Sequence, residues 1–273
     1  MAQKVIWSLK DPEISRLVRL TTEKQLRYSQ KQCMITSKPL IIDLSSTHSF
    51  CDLIVDKKPK SELPYKFERL HIVSPKLLTR ISGLKNAGSG IAATLPIPDS
   101  LSVESFDADG MVIIDGVNDP GELGTLLRSA AAFNWRTVWI THSCADPFDP
   151  VSIRASQGTL FSLPFRMGSF DNAIKHSRKS KHLLKLRFIS KTERSGTVLG
   201  VTNPQLSEST LNLGSKPSCC LLIQNGDAIA TSPPLLRDFK HVSIAGVDQI
   251  SNLPLSVAGS TLMQIISSRY MPS

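Results

Sequence analysis

The chain has 273 residues, of which 41% are hydrophobic and 20% are charged, a composition typical of a globular protein long enough for two modest domains. It contains no run of about 18 apolar residues, so no membrane-spanning helix and no membrane partner are expected. No long apolar stretch followed by small residues opens the chain, and this argues against a secretory signal.

The net charge of +9 is concentrated in two places. Residues 1–98 hold 16 lysines and arginines against 8 acidic residues, whereas residues 99–273 hold 16 against 15. Within that second part, residues 175–194 supply eight of the cations and one acid. Each neutralised phosphate releases condensed counterions, so both patches suit a nucleic acid. For either patch alone, a solvated lysine-rich surface is an equal alternative.

The five cysteines and six histidines predict neither a disulfide framework nor a metal site. The cysteine number is odd, no CxxC pair is present, and the one close pair, Cys219 and Cys220, predicts entry into a buried strand. We therefore expect an intracellular, reducing compartment. Asp11 and Glu13 argue against a clean mitochondrial presequence, although a trimmed precursor is an alternative. Mitochondrion and cytoplasm both stay open, and we favour the mitochondrion.

In chain order, the first hundred residues alternate helices with short strands. Helical spacing of apolar residues predicts a helix over 14–20 and a second one through Arg27. Ser74-Pro75 predicts the start of another helix, ended by the glycines at 88–90. Short apolar runs lie at 33–35, 53–55, 70–73 and 91–95. This alternation predicts a small α/β sandwich.

Residues 96–110 predict a linker, beyond which strands and helices alternate. The apolar run 111–114 is typical of a buried parallel strand, and Asp115 behind it is expected to cap the following turn. Further strands are predicted at 138–140, 160–165, 184–189 and 220–223, and helices over the segment containing Leu123 to Ala131, over 171–182 and over 255–267. Trp135 and Trp139 flank a strand and are expected in the core. The pattern predicts an open, mostly parallel sheet with ligand-binding loops at the carboxyl ends of its strands, at 115–124, 224–230 and 245–255.

These loops carry a resemblance. Residues 111–141, MVIIDGVNDPGELGTLLRSAAAFNWRTVWIT, resemble the first motif of the SpoU (TrmH-like) branch of the SPOUT methyltransferases. Residues 152–165, SIRASQGTLFSLPF, are similar to its Arg-Ala-Ser-x-Gly stretch. Residues 221–230 and 247–266 stand where its second and third motifs belong. Residues 73–98 resemble the end of the L30e-like RNA-binding domain that precedes many SpoU enzymes.

The resemblance implies an α/β fold in two parts. A small L30e-like α/β sandwich that binds RNA would occupy residues 1–98, and a linker residues 99–110. A SPOUT domain would occupy residues 111–273, with a parallel sheet and a C-terminal trefoil knot, a rare topology because ordinary connections do not thread loops. In this family the knotted loops hold S-adenosylmethionine, and two paired subunits complete the RNA site.

The family pattern also implies roles for individual residues. Arg128 matches the arginine near the ribose 2′-OH; a guanidinium stays protonated and is a poor proton acceptor, so phosphate clamping or alkoxide stabilisation is expected. The catalytic positions are Arg128, Glu122 and Ser256. The cofactor-binding positions are Ile223, Gln224, Asn225, Gly226, Ile244, Leu253 and Leu255. The RNA-binding positions are Arg154, Ser156, Lys175, Arg178, Lys179 and Lys181. We call the basic stretch over residues 175–194 the basic strip, and His176 and His182 are expected to add to it.

Several positions depart from the family pattern. Glu122 stands in place of an asparagine, which removes a donor and adds negative charge beside incoming phosphate. Pro254 replaces another asparagine, deleting an amide and a backbone N–H, whereas Ser256 is retained. In the second motif, Gln224 and Ala228 replace glycines, which let backbone approach a ligand closely.

The motif-two glutamate is absent unless Asp227 stands in one position late. With Glu122, Ala228 and Pro254 expected around one cavity, we predict weakened or absent methyl transfer, with S-adenosylmethionine binding either kept or lost.

The first hypothesis is an RNA-binding protein that has lost turnover and acts on rRNA in a pre-ribosomal particle or as a noncatalytic subunit. A homodimer, or a heterodimer with a homologous SPOUT protein, would fit it. The second hypothesis is a working rRNA or tRNA 2′-O-methyltransferase that uses substitute residues. A protein-binding scaffold is disfavoured by the basic first domain.

Overall fold

The computed structural model describes residues 2–6, 10–59, 61, 63–83, 90–102, 110–179, 184–189, 197–198, 219–225, 236–243 and 253–270. In chain order these residues form β1 (Ala2–Ile6), α1 (Pro12–Thr22), α2 (Lys24–Gln30), β2 (Gln32–Ile35), α3 (Lys38–Ser45), β3 (Phe50–Val55), β4 (Phe67–Val73), α4 (Pro75–Ser82), β5 (Ile91–Pro96), β6 (Met111–Asp115), α5 (Pro120–Ala132), β7 (Thr137–Thr141), α6 (Pro150–Ser156), a 3₁₀ turn (Thr159–Phe161), β8 (Phe165–Gly168), α7 (Phe170–Ser177), β9 (Leu184–Ile189), β10 (Thr197–Val198), β11 (Cys219–Gln224), β12 (Lys240–Ser243) and α8 (Leu255–Tyr270).

The chain divides into two compact units. Unit 1 contains Met1–Asp99 together with Asp146–Phe161, and unit 2 contains Ser100–Ala145 and Ser162–Ser273. The predicted domains differ from these units in one segment, because residues 146–161 were expected in the C-terminal domain and pack with unit 1 instead. No described helix is long and apolar enough to cross a membrane.

Unit 1 contains a mixed five-stranded sheet in the order β1-β4-β3-β5-β2. Strand β4 runs parallel to β1 and β3, and β5 runs antiparallel to β3 and β2. Helices α1 and α4 bury their apolar faces in a core that includes Leu17, Met34 and Leu78. Asp11 and Ser74 cap these two helices, each followed by a proline whose missing N–H costs nothing at a helix start. The predicted helix after Ser74 ends earlier than expected, at Gly83, whose φ of 67° is left-handed.

A buried ion pair attaches residues 146–161 to the rest of unit 1. Arg27 on α2 is 2% exposed, and its Nη2 lies 2.7 Å from Oδ2 of Asp146. Tyr28 donates its hydroxyl to the other carboxylate oxygen at 2.9 Å. Burial, reinforced by the negative charge of Asp146, raises the pKa of Tyr28 well above its usual value, so the phenol stays a donor. The segment that bears the Arg-Ala-Ser-x-Gly stretch is therefore anchored to helix α2.

A second buried carboxylate joins α1 to three strands of the same sheet. Asp52 on β3 is fully buried and accepts hydrogen bonds from His71 Nε2 at 2.8 Å, Arg69 Nε at 2.7 Å, Arg16 Nη2 at 2.7 Å and Thr94 Oγ1 at 2.8 Å. Burial alone would raise the pKa of Asp52, but the hydrogen bonds from His71, Arg69 and Arg16 hold it well below its usual range.

Asp52 and His71 also lie near Glu13, and the three offer potential metal-ligand atoms within 4.8 Å of one another. Two arginines already neutralise Asp52, so the chemistry of this cluster is that of an ion-pair network.

Unit 2 contains a seven-stranded sheet in the order β10-β12-β9-β11-β6-β7-β8. Every registered pair in it is parallel, which confirms the predicted sheet. The predicted strand over 160–165 is wrong: a 3₁₀ turn follows Gly158, whose φ is 72°, and the strand begins at Phe165. The predicted helix over 171–182 ends at Ser177.

Helices cover both faces of this sheet. One face packs against α7 through a core that includes Ile113, Trp139 and Leu222. On the other face α8 lies against α5, so closely that a Cβ on Gly259 would come within 2.7 Å of Leu126 Cδ2. Trp135, three residues after the end of α5, donates its indole N–H to the carbonyl of Met263 in α8 at 3.2 Å. This hydrogen bond links the C-terminal end of α5 to the second half of α8.

Trp135 and Trp139 are buried, as predicted. All five cysteines are free and buried, and Cys219 and Cys220 begin the buried strand β11.

Replacing Asp52 by asparagine is expected to lower the free energy of unfolding by about 1–3 kcal/mol near neutral pH, because Arg16, Arg69 and His71 lose the charged acceptor of their hydrogen bonds. The pKa of Asp52 is depressed in the fold, so its contribution is complete above the unfolded carboxyl pKa of about 3.9 and is lost as the pH falls towards the lower folded pKa. Urea unfolding at a series of pH values should show the difference shrinking below about pH 4.

The exposed carboxylate variant Asp43→Asn is the control and should leave stability nearly unchanged. A wild-type advantage over Asp52→Asn that stayed constant into acid would contradict the assigned role of the charge.

Candidate functional site

A row of buried polar side chains lies at the carboxyl edge of the parallel sheet in unit 2. Asp115 at the end of β6 and Gln224 at the end of β11 are direct cross-strand neighbours. The Gln224 amide donates from Nε2 to Asp115 Oδ2 at 2.8 Å. Arg187 on β9 donates from Nε at 3.1 Å and from Nη2 at 2.6 Å to Gln224 Oε1. We call Arg187, Gln224 and Asp115 the relay.

The relay lies on the face of the sheet that α7 covers. Side chains two apart on a strand share a face, and Ile113 and Leu222, two residues before Asp115 and Gln224, belong to the core packed against α7. Gln224 is fully buried and Arg187 is 8% exposed. Burial lowers the pKa of Arg187 from its usual value, and the negative charge of Asp115 opposes that shift. The relay is therefore the polar end of the side-chain layer between the sheet and α7, which is otherwise apolar.

Asp115 also connects the starts of three loops. Its Oδ1 accepts hydrogen bonds from Thr141 Oγ1 and Ser143 Oγ, both at 2.7 Å, at the end of β7. Its carbonyl accepts the Asn225 backbone N–H at 3.1 Å. Gly116 donates its N–H to Ser143 Oγ at 3.2 Å and accepts from Asn225 Nδ2 at 3.2 Å. The predicted turn-capping role of Asp115 is wrong, because its carboxylate binds side chains from the neighbouring strands.

A second polar contact brings α5 and α8 together on the opposite face. Asp119 caps α5 by accepting the Glu122 N–H at 2.7 Å, which fixes Glu122 in the first turn. Ser256, in the first turn of α8, donates to Glu122 Oε1 at 3.4 Å. Pro254 lies directly before α8, and its carbonyl accepts the N–H groups of Val257 and Ala258 at 3.0 Å each. The structure thus brings together the predicted positions Glu122 and Ser256, with Pro254 beside them in the chain.

Arg128 lies in the same helix as Glu122, six residues further along and therefore on a different side of it. Its side chain is exposed, and among the described residues it makes no hydrogen bond or ion pair. The guanidinium is free to meet an anion.

The predicted cofactor-binding residues divide by exposure. The side chains of Ile223, Gln224 and Leu255 are buried. Asn225 is half-buried, and Leu253 is 43% exposed. Gly226 and Ile244 lie outside the described residues, as do Asp227 and Ala228, so a cavity shared by Glu122, Ala228 and Pro254 stays a prediction.

The predicted RNA-binding residues fall in both units. Arg154 and Ser156 lie on α6 in unit 1, where Arg154 is half-buried and Ser156 is buried. Lys175, Arg178 and Lys179 lie exposed in and just after α7 in unit 2. Lys181 and His182 lie outside the described residues.

Two features of the basic strip escaped sequence reasoning. Asp238 lies 3.1 Å from Arg178 Nε and 3.7 Å from Lys185 Nζ, so part of the strip is already neutralised. His176 was predicted to add to the strip and is instead buried, with its ring centroid 5.8 Å from that of Trp139. Only its position on the inner side of α7, three residues after Ala173, could have indicated this.

The parallel sheet of unit 2, with α5 and α8 paired on one face, has the fold of solved rRNA methyltransferase structures. A crystal structure of an AdoMet-bound rRNA methyltransferase from Sinorhizobium meliloti has the same fold, with a TM-score of 0.76 at 20% identity over 99% of both chains. Residues 109–211 match the family model described as the SpoU rRNA Methylase family. The chain therefore carries a SpoU-type methyltransferase domain, which confirms the resemblance seen in the motifs.

Curated relatives match over part of their lengths. A tRNA/rRNA methyltransferase of Synechocystis, named as uncharacterised, is 26% identical over 195 residues, which are 71% of this chain and 65% of that protein. The mitochondrial rRNA methyltransferase 3B of Danio rerio is 34% identical over 203 residues, 71% of this chain and 44% of that protein. The chain thus spans less than two thirds of the length of these relatives.

Proposed function

We propose that this protein is a SpoU-type RNA-binding protein in which ribose 2′-O-methyl transfer is weakened. The observation that carries the proposal is the Glu122 carboxylate, held in the first turn of α5 and 3.4 Å from Ser256. The relatives named as rRNA methyltransferases support RNA as the partner. We place RNA binding in the basic first domain and at the exposed lysines of α7, and methyl-donor binding in the domain beyond the linker.

The Glu122 carboxylate disfavours methyl transfer in two ways. An asparagine amide could donate to a phosphate or to a nucleoside, whereas an ionised carboxylate only accepts. Two like unit charges about 4 Å apart repel by about 4 kcal/mol at an effective dielectric constant of about 20. Since about 1.4 kcal/mol corresponds to a tenfold change in rate, partial repulsion is enough to slow transfer markedly.

We propose that S-adenosylmethionine binds at the carboxyl edge of the sheet, since a structure of the same fold, the rRNA methyltransferase from Sinorhizobium meliloti, was solved bound to AdoMet. The proposed cofactor-binding residues are Ile223, Gln224, Asn225, Leu253 and Leu255, of which Leu253 exposes an apolar side chain that suits a nucleoside. Gly226 and Ile244 complete the proposed set. The bound cofactor would supply the electrophilic methyl group. No metal ion is required by this chemistry.

We further propose structured rRNA in a pre-ribosomal particle of the large subunit as the target. The protein would act there as an assembly factor, either as a homodimer or as the noncatalytic subunit of a heterodimer with a homologous SPOUT protein. Mitochondrial relatives favour that compartment over the cytoplasm.

A second candidate is a fully active rRNA or tRNA 2′-O-methyltransferase. It is favoured by the exposed Arg128, which is free of partners among the described residues, and by the contact that already assembles Glu122 with Ser256.

Methyl incorporation from labelled S-adenosylmethionine separates the two candidates, with rRNA and tRNA offered separately. Weakened transfer predicts little incorporation by the wild type and about a tenfold gain in Glu122→Asn, because the repelling charge is replaced by a donor. Glu122→Gln removes the charge alone and should recover part of that gain. Arg128→Ala should abolish whatever signal is present.

Strong Arg128-dependent incorporation by the wild type, with no gain in Glu122→Asn, would establish the active enzyme instead. RNA binding without incorporation in any variant would show that turnover is lost completely.

Charge reversal in the basic strip tests the RNA surface. Lys175→Glu with Lys179→Glu should weaken binding of an rRNA fragment and reduce the slope of log affinity against log salt by about 1–2, since roughly 0.9 of slope accompanies each phosphate contact. Arg178→Glu should do less, because Asp238 already neutralises Arg178.

Arg136→Glu is the control, because this exposed arginine precedes β7 at the opposite, amino edge of the sheet. Equal slopes for the wild type and the lysine variant, measured by fluorescence anisotropy across salt, would remove the strip from the interface.

A further inference from the structure

We infer that Gln224 is a positioning residue, whose amide completes the relay from Arg187 to Asp115 and thereby fixes the starts of the loops that follow β6 and β11. The inference rests on the proposed function in one respect: those loops are the ones we propose to receive S-adenosylmethionine.

The relay has a defined direction. The Gln224 amide oxygen accepts from the cation Arg187, and the amide nitrogen donates to the anion Asp115. The reverse orientation would point an N–H group at a guanidinium and an oxygen at a carboxylate, so only one rotamer of the amide satisfies both partners. All three side chains are at least nine-tenths buried, where an unmet donor or acceptor is costly.

The relay ends on the residue that the loop starts share. Asn225, next to Gln224 in the chain, donates its backbone N–H to the Asp115 carbonyl and its side-chain amide to the Gly116 carbonyl. Ser143 donates to Asp115 and accepts the Gly116 N–H. Holding the Asp115 carboxylate therefore holds the backbone at Gly116 and at Asn225.

Stability does not require this arrangement. The rest of β11 is Cys-Cys-Leu-Leu-Ile, all buried, and apolar residues often replace buried ionic groups without loss of stability. What the relay adds is a fixed geometry: a single amide sets the distance between two charged groups and the loop starts attached to one of them. A fixed loop start lowers the entropic cost of binding a ligand there.

Exchanging the charge and the amide along the relay tests the inference. In Gln224→Glu, a new carboxylate faces Asp115 Oδ2 across 2.8 Å. In Asp115→Asn, if the new amide oxygen keeps the bonds from Thr141 and Ser143, its NH₂ group faces that of Gln224. Each single substitution thus breaks the relay. The double substitution restores it, because the new carboxylate accepts from Arg187 and from the introduced amide, with the net charge unchanged.

Two readouts decide the outcome. Hydrogen exchange of the ligand-free protein, followed by mass spectrometry, should show at least tenfold faster exchange in peptides over Gly116 and Asn225 for each single variant, and wild-type exchange for the double variant. Calorimetric affinity for S-adenosylhomocysteine should fall at least tenfold in each single variant and recover to within about threefold of wild type in the double variant.

Val138→Ala, buried on the other face of the sheet, is the control for a general loss of stability and should leave both readouts near wild type at a temperature where it is folded. The inference is overturned if the single variants exchange like wild type at the loop starts, or if the double variant fails to recover. If wild-type protein does not bind S-adenosylhomocysteine, the proposed cofactor fails, and hydrogen exchange alone still decides whether the relay fixes the loops.

Discussion

A carboxylate buried at the end of a parallel strand has to find its hydrogen-bond donors on neighbouring strands, because the strand's own backbone is committed to the sheet. Asp115 meets this constraint with donors from both sides: Gln224 from β11, and Thr141 and Ser143 from the end of β7. The carboxyl ends of parallel strands meet at one edge, so satisfying one carboxylate draws three loops to a common origin.

Unit 1 uses the same principle twice. Asp52 receives donors from α1, β4 and β5, and Asp146 receives them from α2. In both cases a buried anion is surrounded by charged donors, which makes removal of either one costly. Asp146 anchors the segment that carries Arg154 to α2, so Arg154 belongs to the same compact unit as the basic residues 1–98.

The sequence was sufficient where apolar runs and caps act locally. The strands at 111–114 and 220–223 appear as predicted because short continuous apolar runs are typical of strands buried in a parallel sheet. The apolar run at 160–165 led to a wrong strand prediction. Gly158, with its positive φ, and Pro164 favour a turn there, and the strand begins only at Phe165. The polar strand Lys240–Ser243 carried no usable signal.

The first SpoU motif was readable for the same local reason, since it is one strand end with its loop and the helix that follows. Long-range pairs were beyond sequence reasoning. Nothing in the chain marks Asp238 as a partner of Arg178, or Gln224 as a partner of Arg187.

The departures from the family pattern differ in their chemical effect because their surroundings differ. Gln224 carries a side chain where the motif has glycine, but the amide of that side chain is hydrogen-bonded to Arg187 and Asp115 and does not project into a loop. Pro254 lacks an N–H at the start of α8, where a helix leaves such groups unpaired in any case. Glu122 differs from both, because its charge is held at a helix start within reach of Ser256 and no cation among the described residues pairs with it. Among the departures that lie within the described residues, Glu122 is therefore the one that adds a charge which no described cation balances.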